Sequence, residues 1–191
     1  MPAAEESPGE RRTREALEAS GIAFEIVRHG PVGSLAEAAR ARGVAPSQVL
    51  KTLVVRRGDD DYLFVLVPGD RTIAWPRLRA LLGVSRLSMP DKEVARDVTG
   101  YERGTITPFG SLRAWPVVAD SRVAQAGPVS VGGGGHGVSA TVDGAQLVRA
   151  LDARVADVTD LDDPGAADDG RSAPPGSAST RPKVRALDES A

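Results

Sequence analysis

The run Tyr62-Leu63-Phe64-Val65-Leu66-Val67 constrains the fold of this chain more than any other stretch. Uninterrupted apolar residues of this length, mostly β-branched or aromatic, read as a strand covered on both faces and central in a sheet. Pro68-Gly69-Asp70 turns the chain after it. Before it, Lys51-Thr52-Leu53-Val54-Val55 is a second strand, joined to the first by the charged turn Arg57-Gly58-Asp59-Asp60. The pair is a hairpin, and the rest of the chain has to cover its two faces.

The flanking segments supply that cover. Residues 10–20 are strong helix formers stopped by Gly21, and Ile22 to Val27 alternates as a strand ended by His29-Gly30-Pro31. Ser34-Leu35-Ala36-Glu37 is a capping box that opens a short helix through about Arg42. Trp75-Pro76 leads into a helix with Leu78, Leu81 and Leu82 on one stripe, and Val84 to Met89 is a short strand candidate. Pro90-Asp91 introduces a helix over roughly 91–98. Strands are expected at Ala114–Ala119, Val129–Val131 and Val138–Val142, with a final capped helix at Ala145–Leu151. The expected class is α+β: a mixed, partly closed sheet or barrel of about six or seven strands with short helices outside. Residues 10–156 form the domain; residues 157–191, rich in Asp, Pro, Gly, Ser and Ala, are expected to be a disordered acidic tail.

Composition removes several classes of chemistry. There is no cysteine, hence no disulfide, no thiolate nucleophile and no cysteine-built zinc site. The two histidines, His29 and His136, are too few for a multi-histidine metal centre, and no cofactor is expected. No apolar run approaches a signal peptide core or a membrane span, so a cytoplasmic protein without membrane contact is expected. The net charge of −2 is uneven: residues 157–191 carry −4 and the preceding body +2. A body so close to neutral is no non-specific DNA coat, although it suits a local phosphate-binding face.

Three features can carry chemistry. Gly100-Tyr101-Glu102-Arg103-Gly104-Thr105-Ile106-Thr107-Pro108-Phe109-Gly110 can be neither helix nor central strand. It is an ordered turn or a loop that turns main-chain N–H groups toward a ligand. Gly132 to Gly137 spells G-x-G-x-x-G, but a strand pattern rather than a helix follows, which rejects a dinucleotide fold. That run is either a hairpin loop or a wall of N–H groups beside Gly104. Lys51 is one of only three lysines against 21 arginines, and lysine places a compact ammonium on a flexible stem. A Ser-His hydrolase triad is hard to assemble, because only His29 or His136 could serve as the base and neither sits in a recognisable nucleophile motif.

Taken together, several short motifs resemble the YbaK/prolyl-tRNA editing-domain family. They are Pro46-x-x-Val49-Leu50-Lys51-Thr52-Leu53-Val54, Val67-Pro68, Met89, Thr99-Gly100-Tyr101-x-x-Gly104-x-Ile106-x-Pro108-x-Gly110, and Val131-Gly132-Gly133 with Gly137. They occur in family order over about residues 12–155. The resemblance implies a YbaK-like fold and an aminoacyl-tRNA deacylase that releases a wrong small amino acid, alanine or cysteine, from tRNA for proline, by ester hydrolysis or, for cysteinyl-tRNA, by cyclising release. It implies aminoacylated tRNA as a partner and prolyl-tRNA synthetase as a further one. Lys51 and Gly104 would take catalytic roles. His29, Thr105, Ile106, Thr107, Pro108, Gly132 and Gly133 would contact substrate. Relatives often carry Ser-Gly-Gly-Lys-Arg-Gly where this chain has Gly132 to Gly137, and Gly-Gly where it has Arg103-Gly104. Those departures leave room for a catalytically silent tRNA- or synthetase-binding module of the same fold.

Overall fold

The computed structural model describes residues 5–162, so the expected tail beyond Asp162 lies outside the described residues. Helices are α1 (Pro8–Ser20), α2 (Leu35–Arg42), α3 (Trp75–Leu82), α4 (Lys92–Thr99) and α5 (Gly144–Ala150). Strands are β1 (Phe24–Arg28), β2 (Leu50–Gly58), β3 (Asp61–Pro68), β4 (Arg71–Ile73), β5 (Val117–Asp120), β6 (Pro128–Gly132), β7 (Val138–Asp143), β8 (Arg154–Ala156) and β9 (Thr159–Leu161).

The class is α+β, as expected, but the strands differ in number and grouping. Among the described residues nine strands fall into three sheets, in the orders β2-β3-β5-β8, β1-β7-β6 and β4-β9, and they do not close into a barrel. β3 is internal to its sheet, antiparallel to β2 and parallel to β5. Its side chains alternate between two cores. Phe64 and Leu66 pack with Leu17, Val129, Ala140 and Leu147, whereas Leu63, Val65 and Val67 pack with Ile73, Leu78 and Val158. Each such burial stabilises the fold by about 1.5–3 kcal/mol, so β3 is the seam through which both layers are held.

Two expectations need correction. Residues 84–89 form no strand; Ser88 alone bridges Arg56. Extending that pairing would bring Pro90 opposite Val54, and proline has no N–H to donate, so the chain leaves the sheet edge there. The ordered body also extends past residue 156. Val158 and Thr159 are buried, and β9 pairs with β4. Their anchor is Asp120, a fully buried carboxylate that accepts from the Thr159 hydroxyl at 2.8 Å and the Val158 N–H at 3.2 Å. Arg122 completes its shell at 3.0 Å.

Candidate active site

β2 is an edge strand, and its ladder shows which way its main chain faces. Phe64 sends its N–H to the Pro116 carbonyl, away from β2, at 2.8 Å. The opposite pair Val54–Phe64 therefore turns its hydrogen-bonding groups outward. Arg56 has the same parity and exchanges both main-chain bonds with Ser88, at 2.7 and 3.1 Å. Thr52 shares that parity too, so the N–H and C=O of Thr52 and Val54 point away from β3. Val49 bridges Ser130 of β6 at the other end of the edge. Among the described residues no strand covers β2 between the two bridges.

A cleft of about 510 Å³ opens along this gap and is lined by consecutive β2 residues, Leu50 to Val54. Arg42, the last residue of α2, forms one wall. Met89, Pro90, Asp91, Lys92 and Ala95, leading into and along α4, form another, and Arg103, Gly104, Ile106 and Gly132 complete it. Four cations thus face the cleft, Arg42, Lys51, Lys92 and Arg103, against one carboxylate, Asp91. That carboxylate already caps α4 by accepting from the Val94 N–H at 2.9 Å. The field inside favours an anion.

The Gly100–Gly110 loop is held from behind by α1. Arg12 donates to the Gly110 and Gly100 carbonyls at 3.1 and 2.8 Å, and its guanidinium lies 5.0 Å over the Tyr101 ring. The buried Tyr101 hydroxyl donates to the Phe109 carbonyl at 2.8 Å and lies 3.0 Å from the Thr13 hydroxyl. Burial pushes the Tyr101 phenol above its ordinary range, against the opposing pull of Thr13 and Arg12, so it stays protonated as that donor. Gly104 adopts φ +91°, a region open to glycine, and it is exposed on the cleft.

The loop then divides between support and lining. Gly104 and Ile106 face the cleft, whereas Thr105 and Thr107 are buried. Thr105 uses both its N–H and its hydroxyl on the Glu102 carbonyl, at 3.0 and 2.9 Å. Pro108 is half-buried and lies outside the cleft lining.

Lys51 reaches the cleft wall from the face of β2 that carries Leu53 and Val55. Its ammonium donates to the Arg71 carbonyl at 2.5 Å. Burial holds it below the ordinary lysine range, with Asp162 and Asp70 acting in the opposite sense. His29 does not line the cleft. Its Nδ1 donates to the Gly30 carbonyl at 2.8 Å, which leaves Nε2 to accept from Arg42 at 3.3 Å. It orients a cleft arginine from outside.

The glycine run splits as well. Gly132 lines the cleft, but the Gly133 N–H is spent on the Val138 carbonyl at 3.0 Å. Gly134 and Gly135 pack on α1, where an added Cβ would lie 2.3 Å from the Thr13 hydroxyl and 2.4 Å from the Glu10 carboxylate respectively. The middle of this run is therefore a seat for α1 rather than part of a wall of free N–H groups. His136 at its tip pairs with Glu102 at 3.0 Å and ties the run to the other glycine loop.

Sequence reading did not single out Arg42, Asp91, Lys92 or the Thr52 main chain as site features. Arg42 and Lys92 are ordinary helix-end charges in sequence. Only the period-two alternation of β2 hinted that Thr52 and Lys51 face different ways.

Comparison with known proteins follows the same lines. The model of a family described as the aminoacyl-tRNA editing domain matches residues 29–150. The proline--tRNA ligase of Heliobacterium modesticaldum is 39% identical over 80 residues, 42% of this chain and 14% of that protein. The proline--tRNA ligase of Streptococcus mutans is 27% identical over 128 residues, 67% of this chain and 20% of the ligase. The matched part of this chain thus spans a fifth or less of these ligases. A crystal structure of a proposed trans-editing enzyme for prolyl tRNA synthetase superimposes with a TM-score of 0.74 at 27% identity, covering 81% of this chain and 98% of that one.

Proposed function

The chain belongs to the aminoacyl-tRNA editing domain family, and on that premise we propose that it is a trans-editing deacylase. Its substrate is a tRNA, tRNA(Pro), carrying a wrongly attached small amino acid, alanine or cysteine. The observation that carries this reading is the cleft itself: four cations and an uncovered strand edge enclose about 510 Å³. That volume suits a terminal aminoacyl-adenosine, and the charge suits its phosphate. Likeness to a trans-editing structure along nearly the whole of that chain supports action as a free-standing protein.

An aminoacyl ester is already activated, so the site has to orient it and stabilise charge. Lys51, released from the Arg71 carbonyl, joins Arg42 in holding the phosphate or ribose of the terminal adenosine. The Gly104 main chain lies against the ester and stabilises the oxyanion as it forms. Water adds to the ester carbonyl carbon, the bond from that carbon to the ribose oxygen breaks, and the proton lost by water ends on that oxygen. Ile106 and Met89 bound the side-chain space, and larger amino acids clash there; one methylene is worth about 1–3 kcal/mol of discrimination.

The test is a panel of alanyl-, cysteinyl- and seryl-tRNA. The chain is expected to release amino acid from at least one of them, and Lys51→Ala to lower kcat/KM by about 100-fold while the variant stays folded. Full turnover in a folded Lys51→Ala variant removes the role given to Lys51. Tight binding of charged tRNA without release of any amino acid would instead identify a silent binding module.

A further inference from the structure

Resting on the deacylase reading, we infer that the aminoacyl group of the substrate binds as a one-residue β-bridge opposite Thr52. Its ammonium donates to the Thr52 carbonyl, and its ester carbonyl accepts from the Thr52 N–H. Edge parity provides the first support. Arg56, four residues along, makes both main-chain bonds of such a bridge with Ser88. The start of the edge is closed by Val49–Ser130, and of the two outward positions between the bridges Val54 is buried whereas Thr52 is only half-buried on the cleft. Thr52 is therefore the outward position a ligand in the cleft can reach.

The chemistry of the ligand provides the second support. An amino acid esterified to ribose keeps one nitrogen donor and one carbonyl acceptor on adjacent atoms around its α-carbon. That is the set a single residue presents to an antiparallel partner. Such recognition ignores the side chain, which is left to the steric walls. The Thr52 N–H also meets the carbonyl oxygen on which charge develops, so it joins Gly104 as an oxyanion donor. A third observation is local: the Thr52 hydroxyl lies buried at the cleft with no hydrogen-bond partner among the described residues.

Thr52→Pro removes the main-chain donor, and Thr52→Val controls for the hydroxyl lost with it. The Thr52 N–H points away from β3, so Thr52→Pro removes no ladder bond, and an edge strand accepts proline at such a position. With whichever of alanyl-, cysteinyl- or seryl-tRNA the wild type cleaves fastest, Thr52→Pro should lower kcat by about 100-fold and raise KM by about tenfold. N-acetylation of the same aminoacyl-tRNA should lower wild-type kcat/KM by at least about tenfold, because the charged bond to the Thr52 carbonyl is lost. A folded Thr52→Pro variant with kcat within threefold of wild type, or equal turnover of the N-acetylated substrate, overturns the bridge.

Should Thr52→Pro fail to fold, a main-chain ester at position 52 exchanges the N–H for oxygen with the side chain kept, and the same kcat criterion applies. A wild type that cleaves none of the panel overturns the deacylase reading instead. The bridge is then read by binding of 3′-alanylamino-3′-deoxyadenosine, a non-hydrolysable probe. Its affinity should fall at least about tenfold in the position-52 variant, and equal affinity overturns the bridge.

Discussion

Gly132 stands where β6 meets the Gly100–Gly110 loop, with no room for a side chain. A Cβ there would lie 2.6 Å from the Ile106 carbonyl oxygen and 3.0 Å from that of Thr105, both main-chain atoms that cannot swing aside. Gly132→Ala should therefore push the loop off β6. The expected cost is about 1–3 kcal/mol in stability, read by denaturant unfolding. Activity should suffer more, since a displacement near 1 Å in a positioned site can cost about 100-fold in rate. Residue-level reading of the sequence reached Gly132 through a motif, without this reason for it. It placed Lys51, Gly104, Ile106 and Gly132 together, and the cleft does hold all four. It also grouped His29, Thr105, Thr107, Pro108 and Gly133 with them, and these lie behind or beside the wall. A motif records which residues occur together; it does not distinguish those that line a cavity from those that hold the lining in place.

At the scale of elements, α1 is the brace of the Gly100–Gly110 loop. It has its own N-cap, Ser7, whose hydroxyl accepts from the Glu10 N–H at 3.3 Å, and its inner face offers Arg12 and Thr13 to the loop. Tyr101 is the pin between them. Tyr101→Phe keeps the ring and the cation above it but leaves the Phe109 carbonyl without its buried donor. A loss of about 1–2 kcal/mol is expected, seen as a lower denaturant midpoint. Faster amide exchange from Gly104 to Phe109 should accompany it and separate a local loosening from global damage. The helices and the β2–β3 hairpin were legible because caps and alternation are local signals. The uncovered edge of β2 was not legible, because it depends on Pro90 turning away and on β6 arriving at Val49.

For the whole molecule, the decisive arrangement is two cores on opposite faces of β3, the second closed by the last described strand. Val158 fills that core, and Asp120 bonds to the Val158–Thr159 main chain and hydroxyl. Arg77 and Arg71 hold the same segment through the Thr159 carbonyl, at 2.6 and 2.9 Å. Ending the chain after Ala156 would expose the second core and strip Asp120 of two of its donors. A destabilisation of about 3–5 kcal/mol is expected. At about 2–4 °C per kcal/mol for a chain of this size, the melting temperature should fall by about 10 °C in a thermal scan.

What the sequence determined by itself was local: the central apolar strand, the helix ends set by Ser, Asp and Gly, and the motifs whose resemblance named the family. Only the tertiary structure decided which side of β2 is open, which loop residues line the cleft, and that residues 157–162 belong to the ordered body. Those outcomes rest on contacts between residues far apart in the chain, Val49 with Ser130, Arg12 with Gly110 and Asp120 with Thr159. Propensity and periodicity carry no record of such pairings, because each side of the contact is an ordinary residue until the other side arrives.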